Sequence, residues 1–390
     1  MEWRYRHTVL VLLMGAFFSV MVARLVISPL IPTLMDAFDV SKGAMGLVLT
    51  GLWGTYALFQ LPGGVFAGRY GERAVVVASL GLTGVGSLLL AVSPSYAGFL
   101  VFALLMGAGS GFYFPAAASL LTRLHDNTGQ ALGFHLSGGD SAGLVAPVIA
   151  AVVGVQFGWR VAMLAGVAVI VPVLVVCALR IRPMAPQRPE LSLRERADPG
   201  TLLAMLLSPS IAYTTMLAIV LAFAFQAVIS FYPTFLIEAR GYSTADASLL
   251  YSGIFAIWIP LLPLMGRVAD RLTHDTVLGG TMLSLVVGFA VALLTGSGVG
   301  AVVAVVFLGM GMSFGGVLAA RFMVNLSPEE RTEGYGLVRG VYMLLGSTGS
   351  VVTGTVADLA GWTAAYGLVG VLVAVVLGTV IANRTLGLGL

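Results

Sequence analysis

The sequence predicts an all-α membrane protein with twelve transmembrane helices in two pseudo-symmetric six-helix bundles. Three observations carry that prediction. The first is composition: of 390 residues 58% are apolar and only 9% charged, with a mean hydropathy of +1.00, whereas about a quarter of residues are charged in soluble domains. The second is the spacing of apolar runs. Broken at charge and turn clusters, they fall at 8–34, 45–68, 74–93, 95–122, 129–156, 160–180, 208–236, 244–267, 275–296, 298–324, 333–357 and 362–384, and about 20 apolar residues suffice to cross ~30 Å of hydrocarbon. The third is repetition. GVFAGR at Gly64–Arg69 answers GRVADR at Gly266–Arg271, and Gly107 and Gly109 answer Gly309 and Gly311, both 202 positions on. Gly133 and Gly158-Trp159 answer Gly336 and Gly361-Trp362 at 203.

Charge fixes the orientation. With Met1 inside, fourteen arginines fall on the inner side and only Lys42, Arg160 and Arg240 on the outer, which the positive-inside rule reads as both termini in the cytoplasm of a protein of the cell membrane. The apolar run after Arg4 and Arg6 is too long for a signal-peptide core and is read as a retained first helix. The Pro-rich, charged stretch RIRPMAPQRPELSLRERADPG (180–200) suits a cytoplasmic connector. The expected organisation is a bundle over 1–180, a linker over 181–204 and a bundle over 205–390.

Several classes of function drop out. The lone Cys177 allows no intramolecular disulfide, and His7, His125, His135 and His274 lack ligand spacing, so neither a metal nor another cofactor is expected. No Walker loop and no nucleophile constellation appears, which argues against an ATP-driven pump or an enzyme. Nothing calls for nucleic acid, and a monomer in the bilayer is expected.

The chemistry starts at Arg24. It lies inside the first apolar run, where a guanidinium costs from roughly 3 to more than 10 kcal/mol unless it meets water, a counter-charge or a ligand. Its planar fork gives bidentate hydrogen bonds to carboxylate or phosphate. Asp140, about eleven residues into the fifth span, is a partner that could hold or release Arg24 as it gains or loses a proton; His135 is a candidate relay. The competing reading makes each a satisfied packing residue. Trp53, Tyr56, Tyr113, Gln226, Tyr232 and Tyr342 are polar and aromatic candidates for lining a substrate cavity. Arg321 and Arg339 sit near inner helix ends and suit gating pairs or snorkelling.

Over its whole length the sequence resembles the Major Facilitator Superfamily. GGVFAGRYGERAVV (63–76) is similar to that family's loop signature between helices 2 and 3, with GRVADRLTHD (266–275) as its partner. The resemblance implies a gating role for Gly64, Arg69, Arg73, Gly266, Asp270 and Arg271. The aspartate of the first copy is Gly68 here, which weakens that latch. ARLVISPLIPTLMDAFDVSKGAMG (23–46), TYALFQLPGG (55–64), FYFPAAASLLTRL (112–124) and FGWRVAMLAG (157–166) are similar to the anion:cation symporter group. That likeness implies alternating-access transport of a small organic anion, a carboxylate, with Arg24 as its ligand and a proton, or sodium, as the coupled ion. The acidic residue that often precedes the arginine is Ala23. PLIP at 29–32 also resembles drug exporters, so proton-coupled efflux is the alternative; GLVAPVIAAVVG (143–154), which lacks the antiporter pattern of the fifth helix, speaks against it.

Overall fold

A computed structural model describes residues 5–187, 205–296, 298–326 and 331–387; the side chains of Gly266, Asp270 and 331–333 lie outside it, as do linker residues 188–204. The described residues are helical, with no strand among them. In membrane hydrocarbon a helix satisfies every backbone N–H and C=O within one segment.

Among the described residues, eleven helical stretches are long and apolar enough to span a bilayer. The last of them lies in the helix Arg331–Leu386, which has 56 residues and would measure about 84 Å at 1.5 Å per residue. It is broken at Gly361, whose φ of 82° and ψ of 170° are non-helical. Twelve spans result. Gly158, one repeat earlier, has φ 85° and ψ 161° and separates Ala142–Phe157 from Trp159–Arg180 in the same way. Backbone in that region is open essentially to glycine alone.

The repeat extends to packing. A Cβ on Gly107 would lie 2.2 Å from the Leu52 carbonyl oxygen, and one on Gly309 would lie 2.8 Å from that of Ile254, 202 positions beyond Leu52. Gly86 abuts Met106 as Gly288 abuts Leu308, and Gly109 abuts Thr83 as Gly311 abuts Leu285. Small residues let helix backbones touch where no hydrophobic force drives helices together in lipid. Outward faces carry apolar side chains instead: Leu294 is 85% and Leu359 82% exposed, the inverse of a soluble surface.

Helix starts follow local chemistry. Ser95, Asn127, Ser243 and Thr273 each accept from a backbone N–H three residues on, closing an otherwise orphaned donor. The described chain falls into two compact units, Met1–Val40 with Gly51–Arg196, and Ser41–Thr50 with Ala197–Leu390. In the first, the start of the connector is tied down: the Tyr5 hydroxyl oxygen accepts from the Arg182 N–H at 2.7 Å, and Arg123 donates to the Ala185 carbonyl at 3.2 Å. In the second, Asp358 accepts from the backbone N–H groups of Lys42 at 3.1 Å and Gly43 at 2.7 Å. There Lys42 also bridges to Glu238 at 3.2 Å, whose carboxylate accepts from the Trp362 indole at 3.0 Å.

Candidate functional site

The first span is a broken helix. Tyr5–Leu25 ends with Arg24 in its last turn; a short tight segment, Ser28–Leu30, follows, and Ile31–Phe38 completes the crossing. Pro29 and Pro32 explain the break, since each lacks an N–H and crowds the turn before it. The fourth span is interrupted between Gly111 and Tyr113, and the fifth between Asp140 and Ala142. Arg24, Tyr113 and Asp140 thus each stand beside an interruption, the sort of place where membrane carriers expose backbone and side-chain polarity to a solute.

Arg24 is 3% exposed. Its Cζ lies 3.5 Å from the centroid of the Trp53 ring and 4.0 Å from that of Tyr56. Neither Nε, Nη1 nor Nη2 has a hydrogen-bond partner among the described residues. Cation–π contact with two rings offsets part of the desolvation, by about 2 kcal/mol or more for a dry pair, yet supplies no counter-charge for the guanidinium and no acceptor pair for its fork of donors. Such a group is costly to keep. The anticipated pair with Asp140 is not formed: Asp140 is half-buried at the end of Thr128–Asp140, and no Arg24 nitrogen reaches a carboxylate.

His135 is fully buried, with neither ring nitrogen partnered among the described residues. Phe17, Tyr113 and Phe114 surround it at ring separations of 5.0, 5.7 and 6.0 Å. Tyr113 gives its hydroxyl to the Leu13 carbonyl at 2.6 Å, so it is a bracing residue at this site.

The second unit holds uncharged candidates. Gln226 is 5% exposed with its Oε1 unpartnered, and the Tyr232 hydroxyl, the Trp258 indole N–H and the hydroxyls of Ser248 and Ser252 are likewise buried without partners among the described residues. Tyr232 packs by Phe235 and Tyr366. Tyr342 is half-buried and stacks on Phe322 at 6.2 Å.

The loop motifs resolve into ties within each unit. Glu72, 1% exposed, receives both carboxylate bonds from Arg123 Nη1 at 2.9 and 2.8 Å and a third from the Ser119 hydroxyl at 3.0 Å. Arg73 donates to the Ala178 carbonyl at 2.6 Å, at a helix C-terminus where a cation is favourable. Arg69 is exposed over Tyr70, and Gly64 is half-buried. In the second unit Arg321 pairs with Asp275, donates to Thr214 at 3.1 Å and lines a cleft of about 200 Å³ with His274 and Asn325. Arg271 is exposed and Arg339 half-buried; Gly266 and Asp270 lie outside the described side chains. Sequence reading gives Glu72 no role. Its available signal is an acid in a helix's first turn, where the dipole favours it, with a basic last turn on the span that precedes the next loop.

The profile of the Major Facilitator Superfamily matches residues 12–326 and 259–385. The chain belongs to the Major Facilitator Superfamily. This facilitator is similar to a hexuronate transporter of Bacillus subtilis, with 21% identity covering 85% of this chain and 83% of the relative. It is 26% identical to a probable sulfoacetate transporter of Cupriavidus necator, over 41% of this chain and 37% of that one. Its fold matches that of a bacterial homolog to the human lysosomal transporter Spinster, in an inward-facing and occupied conformation, with a TM-score of 0.83 and 17% identity over 99% of this chain and 98% of the other. The facilitator is therefore a multi-pass membrane transporter and not an enzyme.

Proposed function

We propose that this transporter is a secondary carrier that moves a small organic anion, a carboxylate, by alternating access with proton symport. One observation carries the reading: a guanidinium buried among aromatic rings, all of whose donors lack partners among the described residues. A carboxylate supplies the missing charge and two acceptors in the fork geometry arginine prefers. The relatives named for hexuronate and sulfoacetate fit the same chemistry. Arg24 binds the anion, and Gln226, Tyr232 and Tyr342 are further proposed solute contacts. Asp140 carries the coupled proton and His135, fully buried a turn and a half earlier, hands it on. The helix ends that carry Gly64, Arg69 and Arg73, and those that carry Gly266, Asp270 and Arg271, govern opening together with Arg321 and Arg339.

The carrier works as a monomer in the cytoplasmic membrane with both termini inside, its bundles spanning 1–180 and 205–390 with 181–204 between them. The test is a melting screen of purified protein against monocarboxylates, dicarboxylates, sugar acids, sulfonates, phosphate and cationic drugs, run beside Arg24→Ala. A ligand of the folded state raises the melting temperature with its saturation. Carboxylates should stabilise the wild type and not the variant. Stabilisation by cationic or neutral lipophiles alone, with or without Arg24, would replace uptake with efflux as the function.

A further inference from the structure

Two rings take most of the Arg24 surface that a ligand does not need. A guanidinium nitrogen stands about 1.33 Å from Cζ, so with Cζ 3.5 Å from the Trp53 centroid an edge-on approach would drive a nitrogen into the ring. The guanidinium must lie nearly parallel to the indole. Trp53 and Tyr56 are themselves close to perpendicular, with an interplanar angle of 84° and centroids 5.9 Å apart. The Tyr56 face, 4.0 Å from Cζ, therefore meets the guanidinium along an edge. One face and one edge are occupied, and a bidentate edge is left over.

The rings are held as firmly as the cation. Trp53 is 7% and Tyr56 2% exposed. Both project from one helix, Lys42–Tyr70, at a spacing of three residues that puts them on the same side. Arg24 comes from another helix and sits where that helix stops. A long side chain free to rotate would lose rotamer entropy on binding, and one stacked beforehand has already lost it.

Resting on the anion reading above, we infer that Trp53 and Tyr56 are positioning residues: they fix the Arg24 guanidinium by its face and one edge so that its remaining edge is aimed at a planar carboxylate. They set affinity without contacting the anion. Aromaticity, and not bulk, is what the two positions supply.

The test uses full-length protein in detergent and titrates D-glucuronate, with glucose as the uncharged control, by isothermal calorimetry. Trp53→Leu and Tyr56→Leu should each weaken glucuronate binding about tenfold, while Trp53→Phe and Tyr56→Phe recover most of the affinity. A double-mutant cycle adds a readout that mere packing would not move: in an Arg24→Lys background, where no planar group remains to stack, Trp53→Leu should cost less than about threefold. Ligand-free melting of every variant identifies any that fails to fold, and the tyrosine arm then decides alone. Three results overturn the inference: equal binding by the Leu and Phe variants, additive effects in the cycle, or tighter binding in Trp53→Leu, which would make the rings competitors of the anion. If glucuronate binding does not depend on Arg24 at all, the anion reading falls with it; Arg24-dependent binding with indifferent rings overturns the positioning role only.

Discussion

Arg123→Ala should be among the most damaging single changes outside the proposed substrate site. Glu72 is 1% exposed and its carboxylate accepts from Arg123 Nη1 through both oxygens, at 2.9 and 2.8 Å. Once the arginine is gone, the Ser119 hydroxyl at 3.0 Å is the one short bond left, with the Gln187 amide more distant at 3.4 Å. Stranding one member of a buried ion pair costs about 3–5 kcal/mol. The retained Ser119 bond argues for the lower end, about 3 kcal/mol, or roughly a hundredfold in the folded-to-unfolded ratio. Adding Glu72→Gln removes the stranded charge and should return more than half of that loss. Reversible unfolding in mixed SDS micelles, followed by circular dichroism, measures both. A loss below about 1 kcal/mol for Arg123→Ala, the range of an exposed pair, or a double variant no better than the single one, would refute the claim that the Glu72 carboxylate is held dry.

Other expectations are separable from that one. Gly158→Ala and Gly361→Ala should each destabilise by about 1–3 kcal/mol, because both glycines hold a positive φ although nothing lies within 4 Å of a new Cβ. Gly367→Ala, equally uncrowded but without a positive φ, serves as the control and should be neutral or slightly stabilising in the same unfolding assay. Gly107→Ala puts a methyl 2.2 Å from the Leu52 carbonyl oxygen, so the close approach of the second and fourth spans is lost and a drop in yield and melting temperature is expected on size-exclusion and thermal profiles. Asp140→Asn should abolish accumulation driven by an imposed pH gradient in proteoliposomes while solute exchange persists; unchanged accumulation would remove Asp140 from the coupling path.

Much of this is legible in the amino-acid chain itself. Composition and run length dictate a multi-span helical membrane protein, because apolar runs of about 20 residues suit helices, which satisfy their own backbone polarity, whereas barrel strands are about half that length. The 202-residue repeat is visible in glycines, whose close contacts admit no side chain: Gly107 with Leu52 and Gly309 with Ile254 are one contact made twice. Even the count of twelve follows from Gly361, although the final 56 residues run on as helix apart from that one break. Arg24 stands out because charge at membrane depth is expensive wherever it occurs.

The partners of those charges are another matter. Asp140 is the obvious counter-charge for Arg24 by depth along its helix, but depth says nothing about which way a side chain faces, and the fold sets Arg24 against Trp53 and Tyr56 instead. Tyr113 reads as a cavity-lining polar group and is a brace, because its hydroxyl meets the Leu13 carbonyl a hundred residues away in sequence. Glu72 looks like one more loop charge until Arg123 and Ser119 close over it. What the chain itself determines, then, is what must be buried in lipid and where one span gives way to the next, since both depend on local composition. Which charge meets an ion, which meets a ring and which meets nothing is decided only by tertiary structure, because burial strips water from a polar group and leaves its energy to whatever a distant helix brings within a few ångströms.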